Sequence, residues 1–253
     1  MGRRLNHQFK TYQKAKIMCK KILFFVILYS SVAAAESMSV FRAEYDLKKN
    51  NITFGKNINE LTEKNGRWSF EINARTSGIF KLKKDERYEK SLFIIRENKL
   101  RPILYQFNRN RRDKSQKIET KFYSSEIQNC IPYSLISEQN QRIEHKDPKC
   151  LSQDRLSVQI DFREKLKVGK YDAEYLVIDK GRDRKYTFTF FDAGIIDTIF
   201  GKTETIIIKK TIQNNKRNTL TWYAVNHDFI PVKIEQYRNK TLKFTVYLTD
   251  FTK

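Results

Sequence analysis

Few side chains in this 253-residue sequence are of the types that perform covalent or acid–base chemistry. Beyond residue 35 there are two histidines, His145 and His227, and two cysteines, Cys130 and Cys150. A Cys130 thiol with His145 as its base would be a nucleophile. A disulfide between the two cysteines would consume that thiol, and the compartment of the protein decides between the two chemistries.

Two aspartates, Asp192 and Asp197, flank the dipeptide Ala193-Gly194 and could form a carboxylate pair for acid–base work. Aspartate is also a common turn residue, and that structural role explains the same spacing. The sequence has no G-x-S-x-G, H-E-x-x-H, P-loop or G-x-G-x-x-G motif. We therefore assign no catalytic residue, no metal site and no cofactor, and we predict that the protein is not an enzyme.

Residues 1–35 have the order of parts of a secretion signal. Seven basic and no acidic residues accompany an apolar run from Ile22 to Tyr29, and small residues follow it. Ala33 and Ala35 fit an A-x-A cleavage site, so we expect the mature protein to begin at Glu36. An uncleaved membrane anchor is the alternative, but the run is shorter than the roughly 20 residues that span a bilayer. We predict a periplasmic protein without a mature transmembrane segment.

The mature chain would remain strongly basic. Without the seven basic residues of the signal, 43 basic residues face 29 acidic ones, which leaves a net charge of +14. After export, the available anions are lipids, lipopolysaccharide and wall polymers, so we expect no nucleic-acid partner. The alternative is a solvated lysine-rich surface with no specific partner.

An oxidising compartment favours a disulfide between Cys130 and Cys150. The segment between them is polar and contains Pro132 and Pro148, as expected of a surface loop at 130–150. A zinc site that includes His145 is an alternative, but a fourth ligand at usable spacing is missing.

Apolar and polar residues alternate with a period of two along most of the mature chain, which predicts strands with one face on a core. The proposed inward residues include Trp68, Phe70, Ile72, Phe188, Phe190, Leu242, Phe244, Val246 and Leu248. Turn signals separate the runs, at Asn50-Asn51, Asn65-Gly66, Asn98-Lys99, Lys180-Gly181, Asn214-Asn215 and Arg238-Asn239.

Such short connections join antiparallel neighbours, so the pattern predicts a meander. We count about eleven or twelve strands, more than a flat sheet usually tolerates. The fold class is therefore mainly β, with residues 36–253 forming one domain built on a strongly curved antiparallel sheet or an open barrel. Asp154–Leu166 is ambiguous, because its alternation favours a strand whereas Asp154 could cap a helix.

Several segments together resemble a known family. They are Lys99–Pro102, Leu156-Ser157 followed by Val168-Gly169, Asp197–Thr205 and Trp222–Glu235. In this order they are similar to the landmarks of the bacterial exported family catalogued as domain of unknown function 3108. The resemblance implies a curved antiparallel sheet, loosely similar to periplasmic lipoprotein carriers, with a short helix near 154–166. It implies no functional residues, and the 130–150 loop looks longer than the family's usual connection.

The aromatic-rich strand faces favour one functional hypothesis above the others. We expect a non-enzymatic binding or carrier module for an apolar or amphipathic envelope molecule held on the concave side of the sheet. The alternative is a structural or assembly partner that binds another envelope protein through a sheet edge or the 130–150 loop. An open apolar groove beneath residues 154–166 would favour the carrier, and tight side-chain filling the alternative.

Overall fold

A computed structural model describes residues 38–78, 80, 85–112, 114–122 and 153–253, together with the backbone of 133–137 and 142–145. The signal peptide, its cleavage site at Ala35 and Glu36, and the disulfide between Cys130 and Cys150 lie outside the described residues, so they stay predictions. Residues Ser39–Lys253 form one compact unit.

Fifteen strands and one α-helix account for most of the described residues. The strands are β1 (Phe41–Lys49), β2 (Ile52–Lys64), β3 (Arg67–Thr76), β4 (Asp85–Arg96), β5 (Lys99–Arg111), β6 (Lys114–Phe122), β7 (Tyr133–Ser137), β8 (Arg142–His145), β9 (Gln153–Asp154), β10 (Ala173–Asp179), β11 (Arg182–Thr198), β12 (Gly201–Ile212), β13 (Arg217–Ala224), β14 (Ile230–Arg238) and β15 (Thr241–Thr252). The helix, α1, is Ser157–Lys167. In the part of the chain that the structure describes, no helix has the length and hydropathy of a membrane span.

All fifteen strands belong to one sheet, in the order β8-β7-β6-β5-β4-β3-β2-β1-β15-β14-β13-β12-β11-β10-β9. Neighbours are antiparallel except β9 and β10, which are parallel and are connected through α1. The prediction of a mainly β fold with an antiparallel meander and one short helix is confirmed. Within the described residues, no strand pairing closes the sheet into a barrel.

The hairpin turns use residues that tolerate positive φ. Asn50-Asn51, Asn65-Gly66 and Lys180-Gly181 all have both residues at positive φ, as predicted. Two other turns lie one residue away from the predicted position, at Glu97-Asn98 and Asn239-Lys240. Asparagine supplies one αL residue in each, and the neighbouring charged residue takes the other αL position.

Two residues that we predicted to face the core are exposed instead. Phe190 is 46% exposed and precedes an irregularity in the β11–β12 pairing between Phe190 and Asp192. Leu242 is also 46% exposed, and it lies next to a register shift in the β14–β15 pairing, between the pairs Gln236–Phe244 and Tyr237–Leu242. A bulge inserts one extra residue and resets the alternation, so a strict period of two fails beside it.

Helix α1 packs against the sheet through two of its sides. Val158, Phe162 and Leu166 join a core cluster with side chains of β10, β11, β12 and β13, and the ring of Phe162 stacks on Phe188 at 4.2 Å. Elsewhere the helix contacts β4 and β5. The helix that the family resemblance implied is therefore present, and the strand favoured by periodicity is wrong. Burial on two sides explains the strand-like alternation of apolar residues in this segment.

Asp154 connects the start of the helix to a distant strand. Its Oδ1 accepts hydrogen bonds from the N–H groups of Leu156 at 2.7 Å and Ser157 at 2.9 Å, and its Oδ2 accepts one from the Ser91 hydroxyl of β4 at 2.6 Å. In sheet order, β9 and β4 are ten strand spacings apart, or about 48 Å in a flat sheet. The sheet must therefore bend around the helix.

The other end of the helix is held by Asp228 in the β13–β14 turn. Its carboxylate lies 2.6 Å from Lys167 Nζ and 3.6 Å from Lys253 Nζ, and it accepts a hydrogen bond from the Ser39 hydroxyl at 2.7 Å. Burial opposes ionisation here, but the hydrogen bonds from Lys167 and Ser39 lower the pKa of Asp228. This carboxylate joins both ends of the described unit to α1.

Replacing the helix anchor should destabilise the protein. Asp154→Ala removes the oxygen that accepts the Leu156 and Ser157 N–H groups at the start of α1. It also leaves the buried Ser91 hydroxyl without a partner, so we expect a loss of about 3 kcal/mol in the free energy of unfolding. Urea denaturation measures it. The control Asp197→Ala, at a residue whose side chain is 82% exposed, should change stability by less than about 0.5 kcal/mol. Equal effects of the two substitutions would contradict the anchoring role.

Candidate anion-binding site

The face of β1–β5 that meets the helix changes from apolar to polar along the strands. One row of paired residues, Phe41, Leu61, Phe70, Ser91 and Tyr105, lies beside α1. A parallel row on the same face, four residues further along each strand, consists of Tyr45, Asn57, Ala74, Arg87 and Arg109. Polar side chains thus face the concave side beyond the apolar row.

This polar row carries buried atoms that lack hydrogen-bond partners in the described structure. They are the Tyr45 hydroxyl, Asn57 Oδ1 and Arg87 Nε, together with Asn59 Oδ1 in the adjacent row. Tyr45 is only 1% exposed, and burial raises the pKa of its hydroxyl. Because buried polar groups are nearly always paired, these atoms are unsatisfied hydrogen-bonding groups on the concave side.

Basic side chains converge on the opposite wall, which is formed by β10–β14. A cavity of about 260 Å³ is lined there by Arg155, Asp179, Lys180, Arg184, Tyr186, Lys210, Ile212, Asn215, Arg217, Thr219 and Gln236. Arg155 lies two residues before the start of α1, and Lys180 lies in the β10–β11 turn. Arg184 and Lys210 occupy core-facing positions of their strands, so the sheet directs both towards the interior.

Arg155 is held in place by carboxylates from both parts of the sheet. Its Nε lies 3.3 Å from Asp179 Oδ1, and its Nη1 lies 3.7 Å from Glu89 Oε1 on β4. Tyr105 donates a hydrogen bond to Glu89 at 2.9 Å, and Tyr186 donates one to Asp179 at 3.0 Å. Burial alone would lower the pKa of Arg155, but Glu89 and its neighbours raise it, so the guanidinium stays charged.

Three further cations in this cavity are partly buried and have no such partner, and a fourth, Arg217, is exposed. Lys180, Arg184 and Lys210 have no carboxylate within ion-pair distance among the described residues. The ammonium groups of Lys180 and Lys210 lie over the rings of Phe107 and Tyr186, at 3.7 and 5.3 Å from the ring centroids. Burial, and secondly the charge of Arg155, lower the pKa of both lysines to about 8. An anion that enters the cavity would relieve this repulsion.

An apolar cluster adjoins the cationic cavity. Phe244 is the cross-strand neighbour of Gln236, which lines the cavity. The Phe54 ring packs edge-on against Phe244 at 6.0 Å and against Phe80 at 6.4 Å. All three phenylalanines are only half-buried. The cations and the incompletely covered aromatic rings together form a surface that is complementary to an amphipathic ligand. The cations match an anionic headgroup and the rings match an apolar chain.

Among the described residues, those that the sequence offered for chemistry are not brought together, whereas Cys130, Cys150 and the side chain of His145 lie outside the described part of the chain. Asp192 accepts a hydrogen bond from its neighbour Ala193, and Asp197 pairs with Lys202 in solvent, as expected of turn and surface aspartates. His227 stacks on Phe200, with ring centroids 3.9 Å apart. Beneath α1 there is no open apolar groove in the described residues, because the helix side chains fill the space.

The cationic site is not evident from composition, because its members are a few among the 50 lysines and arginines of the chain. A usable signal was present. Lys210 continues the inward series of Ile206 and Ile208, and Arg184 precedes Tyr186 and Phe188 in the same way. A charged residue at a core-facing strand position destabilises the fold unless its charge is paired or binds a ligand. The alternation of apolar and polar residues is enough to identify such a position.

The comparisons with known proteins identify the family. Residues 41–246 match the family described as "Protein of unknown function (DUF3108)", and the chain belongs to that family. No curated protein matches the chain. One similar crystal structure comes from Bacteroides fragilis NCTC 9343, a protein with a YmcC-like fold that is inferred to be exported. It is 11% identical, covers 85% of this chain and 94% of its own, and has a TM-score of 0.32, too low to carry an argument.

Anion affinity should fall as pH rises through about 8, because the two lysine pKa values lie there. Both ammonium groups are mostly charged near pH 7 and mostly neutral near pH 9.5, so we expect roughly tenfold weaker binding at the higher pH. Titration calorimetry with decyl sulfonate, whose charge is constant over this range, measures the change. The variant with both Lys180→Arg and Lys210→Arg should bind equally at both pH values. A wild-type affinity that does not change with pH would contradict the assignment.

Proposed function

We propose that this protein is a non-enzymatic binding or carrier module in the periplasm for an amphipathic envelope molecule with an anionic headgroup. The observation that carries the proposal is the group of three cations without carboxylate partners, Lys180, Arg184 and Lys210, at the end of a half-covered aromatic cluster. In a structural ion-pair network, each cation would pair with a carboxylate of the protein. In a binding site, cations stay without such a partner and can pair with an anionic ligand.

The headgroup would bind between Arg155 and Lys210. Arg155 is already oriented by Asp179 and Glu89, so little conformational entropy is lost when it donates to an anion. Lys210 and Arg184 supply cations that make no direct ion pair, and Asp179 and Glu89 attract Lys210 only from beyond ion-pair distance. A phosphate or carboxylate accepts hydrogen bonds from both guanidinium and ammonium groups, and partial burial strengthens these bonds.

The opposite wall suits an uncharged polar part of the same ligand. The free oxygens of Asn57 and Asn59 accept hydrogen bonds, and the Tyr45 hydroxyl can donate or accept one. Hydroxyl or amide groups next to the anionic group would satisfy them. The chain of the ligand would lie along Phe54 and Phe244. A purely apolar ligand is less well supported, since it would leave both polar walls unsatisfied.

A second candidate function, assembly with another protein, is supported by two observations. The space beneath α1 is filled by helix side chains such as Val158, Phe162 and Leu166, which is the outcome expected of an assembly partner. In addition, no described strand pairs with the last part of β11 on the side away from β12, and Phe191 and Ile195 are exposed there. The version of this hypothesis that uses the 130–150 loop depends on residues outside those described.

The binding proposal can be tested with three decyl amphiphiles that differ in their headgroups. We expect decyl phosphate to bind, and decyl maltoside and decyltrimethylammonium to bind at least tenfold more weakly, because the cavity is cationic. The variant with both Arg184→Gln and Lys210→Gln should lose at least tenfold in affinity for decyl phosphate. Titration calorimetry below the micelle concentration gives the affinities.

The matched control is Lys185→Gln, at a residue that neighbours Arg184 but pairs with Glu174 at 2.8 Å on the other face of the sheet. It should leave the affinity unchanged. Equal binding of all three amphiphiles, or an equal loss in the control, would overturn the proposal.

A further inference from the structure

Positive charge exceeds negative charge at the cationic cavity. Five partly buried cations and two carboxylates line the cavity or act on its lysines through their charge: Arg87, Arg155, Lys180, Arg184, Lys210, Glu89 and Asp179. Two negative charges balance two of the five positive ones. An excess of three positive charges therefore remains, and the exposed Arg217 at the cavity adds to it.

Both carboxylates are already paired with arginines. Glu89 Oε1 lies 3.7 Å from Arg155 Nη1 and 4.0 Å from Arg87 Nη1, and Asp179 Oδ1 lies 3.3 Å from Arg155 Nε. Among the described residues, neither carboxylate comes within ion-pair distance of the three cations without carboxylate partners. The excess charge therefore falls on these three side chains, and an anionic ligand can neutralise it.

The three cations enter the cavity from separate positions of the sheet. Lys180 lies in the β10–β11 turn, Arg184 lies near the start of β11, and Lys210 lies on β12. Lys210 is opposite Phe188, which is four residues beyond Arg184, so the backbones of Lys210 and Arg184 are about 14 Å apart. Arg184 Nε is buried and has no hydrogen-bond partner in the described structure. Two linked anionic groups match this spread of donors better than one.

The charge of the possible headgroups leads to the same result. A phosphate monoester carries about 1.5 to 2 negative charges near pH 7 and has three acceptor oxygens on one phosphorus atom. It would leave at least one of the three excess positive charges unbalanced. A diphosphate ester carries about three negative charges and has more acceptor oxygens, on two phosphorus atoms. Its charge equals the excess.

One row of cross-strand neighbours connects the cations with the aromatic cluster. On β12–β15 this row consists of Lys210, Thr219, Gln236 and Phe244. Three strand spacings separate Lys210 from Phe244, or about 14 Å. Because Thr219 and Gln236 lie between them, the part of the ligand that crosses this distance must be polar. A diphosphate is a longer polar headgroup than a single phosphate, so it fits this separation better.

We propose that the amphipathic ligand is a diphosphate ester of an apolar chain, with one phosphoryl group between Arg155 and Lys210 and the other at Lys180 and Arg184. This inference rests on the proposed function, because it specifies the headgroup of the same ligand. The apolar chain would lie along Phe244 and Phe54, as proposed above.

Titration calorimetry of the mature protein, residues 36–253, with decyl diphosphate and decyl phosphate tests the headgroup. EDTA in the buffer keeps divalent cations from the diphosphate. At pH 7 we expect decyl diphosphate to bind at least tenfold more tightly, because its additional charge pairs with cations that decyl phosphate leaves unpaired. Inorganic pyrophosphate, which lacks the chain, should bind at least tenfold more weakly than decyl diphosphate.

The variant Arg184→Gln tests the position of the second phosphoryl group. It should reduce the preference for decyl diphosphate over decyl phosphate to less than about threefold. The matched control Lys185→Gln changes the neighbouring residue, which pairs with Glu174 at 2.8 Å, and it should keep the full preference. Circular dichroism checks that both variants fold.

The possible failures of this inference and of the proposed function can be distinguished. Equal affinities of the wild type for decyl diphosphate and decyl phosphate would overturn the diphosphate headgroup and leave the proposed function intact. A preference that Arg184→Gln does not reduce would overturn the assigned position of the second phosphoryl group. If neither amphiphile bound, both the inference and the proposed function would be wrong. Pyrophosphate binding as tight as that of decyl diphosphate would support the headgroup but contradict the apolar chain.

Discussion

The structure depends on one constraint: helix α1 must be buried against two distant parts of the same sheet at once. Phe162 stacks on Phe188 of β11, while the Asp154 carboxylate at the start of the helix reaches Ser91 of β4. The two contacts cannot form together unless the sheet bends. Burying both sides of the helix removes more apolar surface from water than packing it on a flat sheet would, and this burial stabilises the bend. Asp228 secures the other end of the helix in the same way.

The bend also creates the candidate site. It brings Glu89 of β4 beside Arg155, which also pairs with Asp179, at the edge of the cavity that contains Lys210. Buried cations and unmatched amide oxygens reduce stability. An isoleucine at position 210 would continue the series of Ile206 and Ile208 without that cost. Charged residues at positions that would otherwise be apolar are most often found at ligand-binding or catalytic sites.

Local patterns predicted local structure well and failed at identifiable places. The turns at Asn50-Asn51 and Asn65-Gly66 follow from the positive φ that asparagine and glycine accept. Phe190 and Leu242 were placed wrongly because a bulge shifts the alternation beside each of them, and bulges leave little trace in composition. Periodicity misread α1 as a strand, since burial on two sides of a helix imitates alternation.

The sequence by itself determined the mainly β class, the meander and the positions of most hairpins, because strand alternation and turn conformation depend on residues close together in the chain. Only the tertiary structure decided which strand faces lie opposite each other, which cations have no partner and which edge of β11 remains open. Those properties arise from register and from the bend of the sheet. Both depend on contacts between residues far apart in the chain, such as Ser91 with Asp154, which no local pattern contains.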